Sequence, residues 1–360
     1  MGIDLTKMPK LGFGLMRLPQ SDPNDYSKVN MEELNEMVDY FLAHGFTYFD
    51  TSYVYHMGNS ETAIREALVK RHDRSAYTLT DKLPTWMVNS LSDIEKLLTE
   101  QLKKTGVTYF DYYLMHAMNA QHYEKMKSIG AFAKFKELKE EGRIRHICIS
   151  FHDTADVLEQ ILSEQPDIEY VQVILNYADM QNEGIDIRAC YETIVRHGRK
   201  VIVMEPVKGG VLANLDDEYA ERLKERDAEK SIASWAIRYA ASQPEVFVVL
   251  SGMSTLQQMK DNVSYMEDFQ PLSEDETAVI EGVAEEMYAK RPIRLISSDP
   301  AIRHYIGLYN NRVGMKVRDG WQDIIYGSVK ARFGSPKELM KTASEEEKEA
   351  LLKATEVYVA

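Results

Sequence analysis

The sequence is poor in cysteine, with only Cys148 and Cys190 among its 360 residues. Two cysteines without metal-ligand spacing offer neither a disulfide framework nor a thiolate metal site, and they predict a reducing, cytoplasmic setting. Long apolar runs are also missing, because none approaches the roughly 18 residues that a membrane-spanning helix needs. The segment after Met1 lacks an apolar core of signal-peptide length. No membrane partner is therefore expected.

Positive charge is scarce relative to negative charge. The formal net charge is −14 and the sequence pI is near 5.2. This balance argues against a nucleic-acid partner or an anionic membrane surface, although it is compatible with a local basic pocket for a phosphate. With 44% apolar residues, the chain is long enough for one large α/β barrel or two ordinary domains.

A glycine-rich dinucleotide fingerprint is missing as well. Gly12-Phe13-Gly14 has no third glycine at the required spacing, and it does not follow a strand within a βαβ unit. We predict that residues 8–19 form a short hairpin. Its glycines would allow the backbone to approach a neighbouring segment or a ligand.

What the chain does contain is a regular alternation of apolar strand patterns with amphipathic helix patterns, which predicts a parallel sheet. Seven strands are predicted, at residues 46–50, 77–82, 109–116, 144–150, 170–175, 200–205 and 246–251. An eighth has to precede Phe46, where residues 21–29 are polar and make a poor strand. Helices are predicted at residues 31–43, 61–70, 92–104, 131–141, 153–163, 185–197, 229–242 and 254–265. We favour an α/β fold of the closed (β/α)8 TIM-barrel type over an open sheet, because no glycine-rich turn marks a switch point.

Polar residues stand at the C-terminal ends of six predicted strands: Asp50, Lys82, His116, Ser150, Glu205 and Ser251. In a closed barrel these ends converge on one face, where barrel enzymes place their sites. Each residue alone has a structural explanation, such as a loop cap for Asp50 or a satisfied core histidine for His116. Their repetition at corresponding positions instead predicts an active site, which the nearby Tyr55 would join.

These motifs resemble those of the aldo-keto reductase superfamily. The resemblance covers roughly residues 11–266 and rests on ordered matches at residues 12–19, Phe49-Asp50-Thr51-Ser52-Tyr53-Val54-Tyr55, Ser60-Glu61, Asp81-Lys82-Leu83-Pro84, 111–116, 142–147 with Ser150, Met204-Glu205-Pro206-Val207-Lys208-Gly209-Gly210, and 251–254 with Gln258 and Asn262. It implies a barrel that binds a nicotinamide cofactor without a Rossmann domain. The implied activity is reduction of a small-molecule aldehyde or ketone by hydride transfer.

The resemblance maps the family's catalytic tetrad onto Asp50, Tyr55, Lys82 and His116. Tyr55 would be the proton donor, although a free tyrosine has a pKa of about 10 and donates reluctantly near neutrality. The ammonium of Lys82 would lower that pKa, and Asp50 would keep Lys82 charged and oriented. His116 would hydrogen-bond the substrate carbonyl. The implied substrate-binding residues are Tyr55, His116 and Trp86.

The same resemblance implies NADPH as the usual cofactor. It leaves NADH open, because the best-known NADPH-specific relatives place a basic residue where this chain has Gln258. Ser150 and Gln172 match positions that bond the nicotinamide amide, and Met204 stands where many relatives stack an aromatic ring. The implied cofactor-binding residues are Gly14, Met16, Asp50, Ser150, Gln172, Met204, Glu205, Pro206, Val207, Gly252, Met253, Ser254, Gln258, Asp261 and Asn262.

Three further residues flank the predicted mouth of the barrel. A substrate-pocket role and simple exposure both stay open for His56, His152 and Trp86, and Trp86 is kept among the implied substrate-binding residues. No carboxylate or cysteine spacing accompanies the histidines, so no metal site is expected.

After residue 270 the alternation of strands and helices stops. We predict a barrel domain over residues 1–270 and a C-terminal α-helical extension over 271–360, with helices at 273–288 and 344–358. Residues 301–311 faintly resemble a subgroup of the family whose ferredoxin-like extension ligates iron–sulfur clusters through cysteines. This extension contains no cysteine, so no cluster is carried over. We interpret it as a packing element on the barrel or on a second subunit, without a site of its own, and a homo-oligomer is left open.

Two alternative functions are kept beside the reductase. The first is a nucleotide-sensing regulatory or binding module with residual reductase activity, against which the intact tetrad argues. The second is an unrelated barrel lyase or isomerase in which Lys82 forms a Schiff base with the substrate.

Overall fold

Eight parallel strands close into a barrel in the computed structural model, which describes residues 8–312, 330, 332 and 334–355. The strands are β1 (Leu11–Gly14), β2 (Tyr48–Asp50), β3 (Thr78–Pro84), β4 (Phe110–Met118), β5 (Ile144–Phe151), β6 (Tyr170–Ile174), β7 (Lys200–Met204) and β8 (Val246–Ser251). Each strand pairs with the next along the chain, and β1 pairs with β8 to close the ring. The predicted (β/α)8 TIM barrel is confirmed.

Helices surround the barrel and continue beyond it. They are α1 (Met31–Ala43), α2 (Ser60–Ile64), α3 (Leu91–Thr105), α4 (Ala120–Ser128), α5 (Ala131–Glu140), α6 (Ala155–Glu164), α7 (Ile187–Arg196), α8 (Asp217–Arg226), α9 (Ile232–Ser242), α10 (Leu256–Met266), α11 (Glu274–Ala289), α12 (Pro300–Arg312), α13 (Pro336–Leu339) and α14 (Glu345–Thr355). The predicted helix at 61–70 divides into α2 and a π-helical turn over Arg65–Val69. Helices α4, α8, α12 and α13 have no counterpart among the predicted helix ranges, although α12 and α13 fall within the predicted helical extension.

The predicted hairpin over residues 8–19 is wrong, because Leu11–Gly14 is the missing first strand of the barrel. It runs parallel to β2 and β8, with Gly12 opposite Tyr48 and Leu250. A Cβ atom at Gly12 would lie 2.8 Å from the Leu250 side chain and 3.0 Å from that of Tyr48. Glycine at this position therefore leaves room for the large side chains of the barrel interior. Because Gly12 and Gly14 interrupt the apolar run, the sequence pattern did not indicate this fully buried strand.

The two-residue periodicity of the strands divides the barrel interior into an apolar layer and a polar layer. Side chains from several strands form the apolar layer: Tyr48, Tyr112, Leu114, Cys148, Ile202 and Val248. On β2, β4, β5 and β6, the side chain two residues after an apolar interior position is buried and polar. These side chains are Asp50, His116, Ser150 and Gln172. The alternation that packs the barrel thus delivers polar groups to its C-terminal mouth.

Helix α12 of the C-terminal extension lies against the loop that follows β6. The two backbones approach so closely that a Cβ atom at Gly184 would lie 2.5 Å from the Cα atom of Gly307. Asn182 Nδ2 donates to the carbonyl of Gly307 at 2.9 Å, and His304 Nδ1 is 2.6 Å from the carbonyl oxygen of Gly184. The close glycine contact allows these hydrogen bonds and fixes α12 on the barrel.

The remaining described residues of the extension are largely helical, as expected. Ser273 forms a capping box at the start of α11. The helix predicted at 344–358 corresponds to α14, and its last three predicted residues lie outside the described residues. The division of the chain into domains at residue 270 stays a prediction.

We expect Gly12→Ala to lower the free energy of unfolding by about 1–3 kcal/mol, the usual range for overpacking a filled core. The added methyl group would press on Leu250, Tyr48 and Val248. Gly14→Ala is a matched control in the same strand, because its new Cβ would come no closer than 3.4 Å to the heavy atoms around it. Urea denaturation measures both losses, and equal losses would contradict the packing explanation.

Candidate active site

Lys82 stands at the centre of the polar layer. Its fully buried ammonium group donates to Asp50 Oδ1, to the carbonyl of Thr51 at 2.9 Å and to the hydroxyl of Tyr55 at 3.3 Å. A lysine ammonium has three donors, so these partners use all of them. The register of β2 and β3 creates the arrangement, because Asp50 pairs with Thr80, two residues before Lys82.

Burial disfavours the charged forms of both Lys82 and Asp50. For Lys82, burial lowers the pKa, but the Asp50 carboxylate and then Tyr55 more than offset this, so its pKa lies above the ordinary value. For Asp50, burial raises the pKa, and Lys82 together with a 3.2 Å hydrogen bond from Gln172 Nε2 opposes the rise. Lys82 therefore holds its proton through the neutral range.

The phenol of Tyr55 is less acidic than the sequence analysis predicted. Burial raises the pKa of Tyr55 to about 12, while Lys82 lowers it and Asp50 raises it. Lys82 acts in the predicted direction, but the expectation of a net lowered pKa is wrong because burial outweighs the ammonium. Tyr55 consequently keeps its proton at neutral pH, which is the form that a proton donor needs.

His116 lies beside Tyr55, with ring centroids 6.2 Å apart. Burial, and then the positive charge of Lys82, lowers the pKa of His116 well below its ordinary value, so the ring is neutral. Its Nδ1 is 3.1 Å from Ser52 Oγ. A Ser52 hydroxyl that donates to Nδ1 leaves the ring proton on Nε2. Ser52 is a contributor to the site that the sequence analysis missed.

A cavity of about 300 Å³ opens at the mouth of the barrel beside these side chains. Asp50, Tyr55 and His116 line it, whereas Lys82 lies behind Tyr55. Every cofactor-binding residue implied by the resemblance also lines it: Gly14, Met16, Asp50, Ser150, Gln172, Met204, Glu205, Pro206, Val207, Gly252, Met253, Ser254, Gln258, Asp261 and Asn262. The structure thus brings these residues together around one cavity.

Ser150 and Gln172 face each other across the register of β5 and β6. Gln172 is buried and donates through Nε2 to Asp50 at 3.2 Å, which leaves its carbonyl oxygen as an acceptor. The hydroxyl of Ser150 lies 3.3 Å from His152 Nε2. A hydroxyl beside an amide oxygen can both donate to and accept from a carboxamide, so this donor set fits the amide of a nicotinamide.

Trp86 and His152 occupy different positions around the cavity. Trp86 does not line the cavity but is half-buried, with its ring 5.3 Å from the ring of His116. His152 does line the cavity, and burial, followed by the nearby Arg312, lowers its pKa to about 3. His152 is therefore a neutral pocket residue, whereas Trp86 supports His116 from outside the cavity wall.

His56 is neither a cavity residue nor an exposed one, so both sequence interpretations of it are wrong. Its fully buried ring accepts the backbone N–H of Leu18 at Nε2, at 3.0 Å, and its Nδ1 lies 2.8 Å from the carbonyl oxygen of Tyr26. Its φ of 52° lies in the left-handed region, which is uncommon for a residue other than glycine. These bonds anchor the loop that carries Tyr55.

The C-terminal extension contributes a cavity residue that the sequence analysis missed. Arg312 at the end of α12 lines the cavity, is 6% exposed, and donates to Glu205 Oε1 at 3.1 Å. Beside it, Asn311 donates to Asp179 at 2.8 Å, and Lys208 pairs with the same carboxylate. The extension thus packs on the barrel and also places one residue, Arg312, at the barrel's own cavity, whereas the interpretation that it has no site of its own stays a prediction. No local motif marks Arg312, because 107 residues separate it from Glu205.

Comparison with models of known families matches residues 10–285 to the Aldo/keto reductase family. The match spans more than half of the chain and includes every strand of the barrel. The chain belongs to the aldo/keto reductase family. This membership makes it an NAD(P)H-dependent oxidoreductase. Arg312 lies beyond the matched residues of this aldo/keto reductase.

Two curated proteins illustrate the relationship. This aldo/keto reductase is 24% identical over 254 residues to an L-galactose dehydrogenase from Arabidopsis thaliana, which covers 66% of this chain and 79% of that protein. It is 30% identical over 148 residues to an aldo-keto reductase from Mycobacterium sp. (strain KMS), which covers 41% of this chain and 47% of that protein.

Solved structures share the barrel. An aldo-keto reductase from Bacillus halodurans in its holo form has a TM-score of 0.63 and 23% identity, and the alignment covers 76% of this chain and 91% of that one. An aldo-keto reductase from Klebsiella pneumoniae in complex with NADPH has a TM-score of 0.60 and 18% identity, over 77% of this chain and 91% of that one. These similarities establish the common fold.

The described part of this aldo/keto reductase contains neither a candidate metal site nor a helix suited to cross a membrane. Within residues 8–312 and the described residues after them, no group of histidine, cysteine and carboxylate side chains is arranged to hold a metal ion. In the same part of the chain, no helix combines the length and apolar character needed to cross a bilayer.

We expect this aldo/keto reductase to lose stability in acid because it buries neutral histidines. Burial lowers the pKa of His116 well below its ordinary value and that of His152 to about 3. Histidines in the unfolded chain titrate near pH 6.5, so below that pH the unfolded chain binds more protons than the folded one. The free energy of unfolding therefore falls as the pH falls, by up to roughly 1.4 kcal/mol per pH unit for each histidine. In urea denaturation measured over a series of pH values, His116→Gln should make the free energy of unfolding fall less steeply with decreasing pH. An unchanged slope would contradict the buried, neutral state of His116.

We also expect Arg312→Met to lower kcat/KM for the best substrate by about tenfold or more, because it leaves the carboxylate of Glu205 without its cation. The kcat/KM of Arg312→Lys should lie between those of the wild type and Arg312→Met, because lysine keeps the positive charge but lacks the planar guanidinium group. Arg222→Met is the matched control, because it breaks an exposed ion pair with Glu286 and exposed pairs contribute little. Steady-state kinetics and circular dichroism separate activity from folding. Equal activity of Arg312→Met and Arg222→Met would show that the extension is only a packing element.

Proposed function

We propose that this enzyme reduces an aldehyde or ketone carbonyl with a reduced nicotinamide nucleotide, and that Tyr55 donates the proton. The observation that carries the proposal is the position of the Tyr55 hydroxyl, 3.3 Å from the buried ammonium of Lys82 and on the wall of the cavity that His116 also lines. A protonated phenol, a fixed cation and a neutral imidazole at one cavity wall are the groups that carbonyl reduction requires.

The side chains divide the work between them. His116 donates a hydrogen bond from Nε2 to the carbonyl oxygen and holds it near Tyr55. When bound, the reduced nicotinamide supplies a hydride to the carbonyl carbon. Tyr55 transfers its proton to the oxygen, which completes the alcohol, and Lys82 stabilises the phenolate that remains until solvent returns a proton. Asp50 holds Lys82 charged and oriented throughout.

The cofactor would lie along the cavity from the tetrad towards β8 and α10. Ser150 and Gln172 would hold the nicotinamide amide, and the thioether of Met204 would pack on its ring. The residues after β7 and β8, including Glu205 and Gly252, would line the rest of the dinucleotide site. The complex of the Klebsiella pneumoniae relative with NADPH supports a dinucleotide in such a barrel.

The alternatives have less support. A Schiff base requires a neutral lysine, whereas the ammonium of Lys82 is fully buried, has its pKa raised and spends its three donors on fixed partners. A purely regulatory module does not need a proton donor held beside a cation. The name of the Arabidopsis thaliana relative, L-galactose dehydrogenase, supports a small hydroxylated carbonyl compound as one class of substrate to include in screening.

We expect Tyr55→Phe to reduce turnover by at least the roughly 10²–10⁴-fold that a lost general acid costs, because it removes one oxygen and little packing. Dinucleotide affinity should stay near that of the wild type. Lys82→Met should act similarly, and the double variant should be little worse than either single variant, since the two residues act as a unit. The measurements are steady-state oxidation of the reduced cofactor against a panel of aldehydes, ketones and quinones, and cofactor titration by tryptophan fluorescence.

Tyr53→Phe is the matched control for this experiment. Tyr53 is a loop tyrosine whose hydroxyl donates to Glu100 at 3.1 Å, so its loss should leave turnover nearly unchanged. Full activity in Tyr55→Phe would refute the assignment of Tyr55 as the proton donor.

A further inference from the structure

A second cavity lies between the barrel and the C-terminal extension. Its volume is about 310 Å³, close to the 300 Å³ of the active-site cavity, and none of the described residues lines both. The loops that follow β6 and β7 form one wall, and the end of α11 together with Asn310 of α12 forms the other. Small-molecule sites occupy roughly 300–1,000 Å³, so this cavity has room for a small ligand.

The segment after β7 separates the two cavities. Gly209 and Gly210 line the active-site cavity, whereas Lys208 and Val211 line the second one. Lys208 has a φ of 48°, in the left-handed region that is uncommon for residues other than glycine. The segment thus presents different side chains to the two cavities, and the one charged side chain among these four faces the second.

Lys208 is a buried cation with hydrogen-bond donors to spare. It is 6% exposed, and its Nζ pairs with Asp179, whose other carboxylate oxygen accepts from Asn176 at 3.1 Å and from Asn311 at 2.8 Å. An ammonium group has three donors, and within the described part of the chain Asp179 is the only hydrogen-bond partner of this one. A buried donor without a partner is destabilising, so the cavity beside Lys208 calls for an acceptor.

Arg291, just after α11, adds a second cation to the cavity wall. It is half-buried and donates to the carbonyl oxygens of Tyr288 and Arg294 at 2.8 Å each, and its guanidinium carbon lies 3.9 Å from the centre of the Tyr288 ring. No carboxylate of the described residues pairs with Arg291. A guanidinium has five N–H donors in one plane, so three remain for a planar acceptor.

The other charges around this cavity are paired or exposed. Lys290 pairs with Glu218, and Asp216 is exposed, where solvent ions screen its charge. Apolar side chains complete the wall: Ala178, Val211, Leu215, Met287 and Pro292. One cation without a carboxylate partner and a largely apolar wall fit a single negative charge on an apolar body better than they fit a phosphate dianion.

We propose that this second cavity binds a small organic carboxylate. The carboxylate oxygens would accept from the unused donors of Lys208 and Arg291, and such charge-assisted hydrogen bonds are the strong ones. The apolar part of the ligand would pack on Met287, Leu215 and the ring of Tyr288. The inference does not depend on the proposed function, because no residue of the catalytic tetrad lines this cavity.

Calorimetric titration of the full-length protein with benzoate tests the proposal, with benzamide as the neutral ligand of the same shape. We expect saturable binding of benzoate in the millimolar range or tighter, and benzamide should bind at least about tenfold more weakly because it lacks the charge. Arg291→Gln, which removes the cation, and Met287→Trp, which fills the cavity, should each weaken benzoate binding by a similar factor. Arg294→Gln is the matched control, because Arg294 is exposed and does not line the cavity.

Circular dichroism checks that every variant is folded. Lys208 stays unchanged, because its loss would leave Asp179 buried without its cation. Benzoate that binds Arg291→Gln and Met287→Trp as tightly as it binds Arg294→Gln would overturn the proposal. So would the absence of saturable binding to the wild type, since water alone would then satisfy Lys208. His116→Gln, in the active-site cavity, should keep its affinity for benzoate, and loss of binding in that variant alone would place the carboxylate in the active site instead.

Discussion

The buried ion pair between Lys82 and Asp50 is the constraint on which the rest of the site depends. Removing each charge from water carries an effective penalty of several kcal/mol, and removing one member of such a pair costs about 3–5 kcal/mol because the other is left uncompensated. A fold can keep the Lys82–Asp50 pair buried only if it supplies a hydrogen-bond partner for each of its donors and acceptors at a fixed distance. The closed barrel does so with two adjacent strands and the loop after β2, and the same bonds fix Tyr55 at the cavity wall.

Much of the fold and the tetrad could be predicted because both follow from local periodicity. Buried parallel strands make continuous apolar runs, and amphipathic helices follow them. Residues near the end of each apolar run lie close to the shared mouth of the barrel. The positions of Asp50, Lys82 and His116 could therefore be predicted from the order of the runs in the sequence. The resemblance to a family then supplied roles that periodicity alone could not assign.

The features that escaped prediction depend on non-local contacts or unusual backbone geometry. Strand β1 was missed because Gly12 carries no side chain and fits only when Tyr48 and Leu250 are already in place. The burial of His56 depends on a left-handed backbone and on partners up to 38 residues away. Arg312 reaches the cavity only because Gly184 and Gly307 let two backbones cross closely. None of these conditions leaves a periodic trace in the sequence.

Three ion pairs lie at or near the mouth of the barrel: Asp50 with Lys82, Glu205 with Arg312, and Asp179 with Lys208. In the proposed reaction, a neutral carbonyl compound that enters the cavity meets little net charge from these pairs. As negative charge develops on its oxygen, the nearby phenol and the ammonium behind it become strongly stabilising, because they are already oriented and shielded from water. The pairing thus favours the transition state over the bound substrate, which is the condition for a higher turnover rate rather than merely tighter binding.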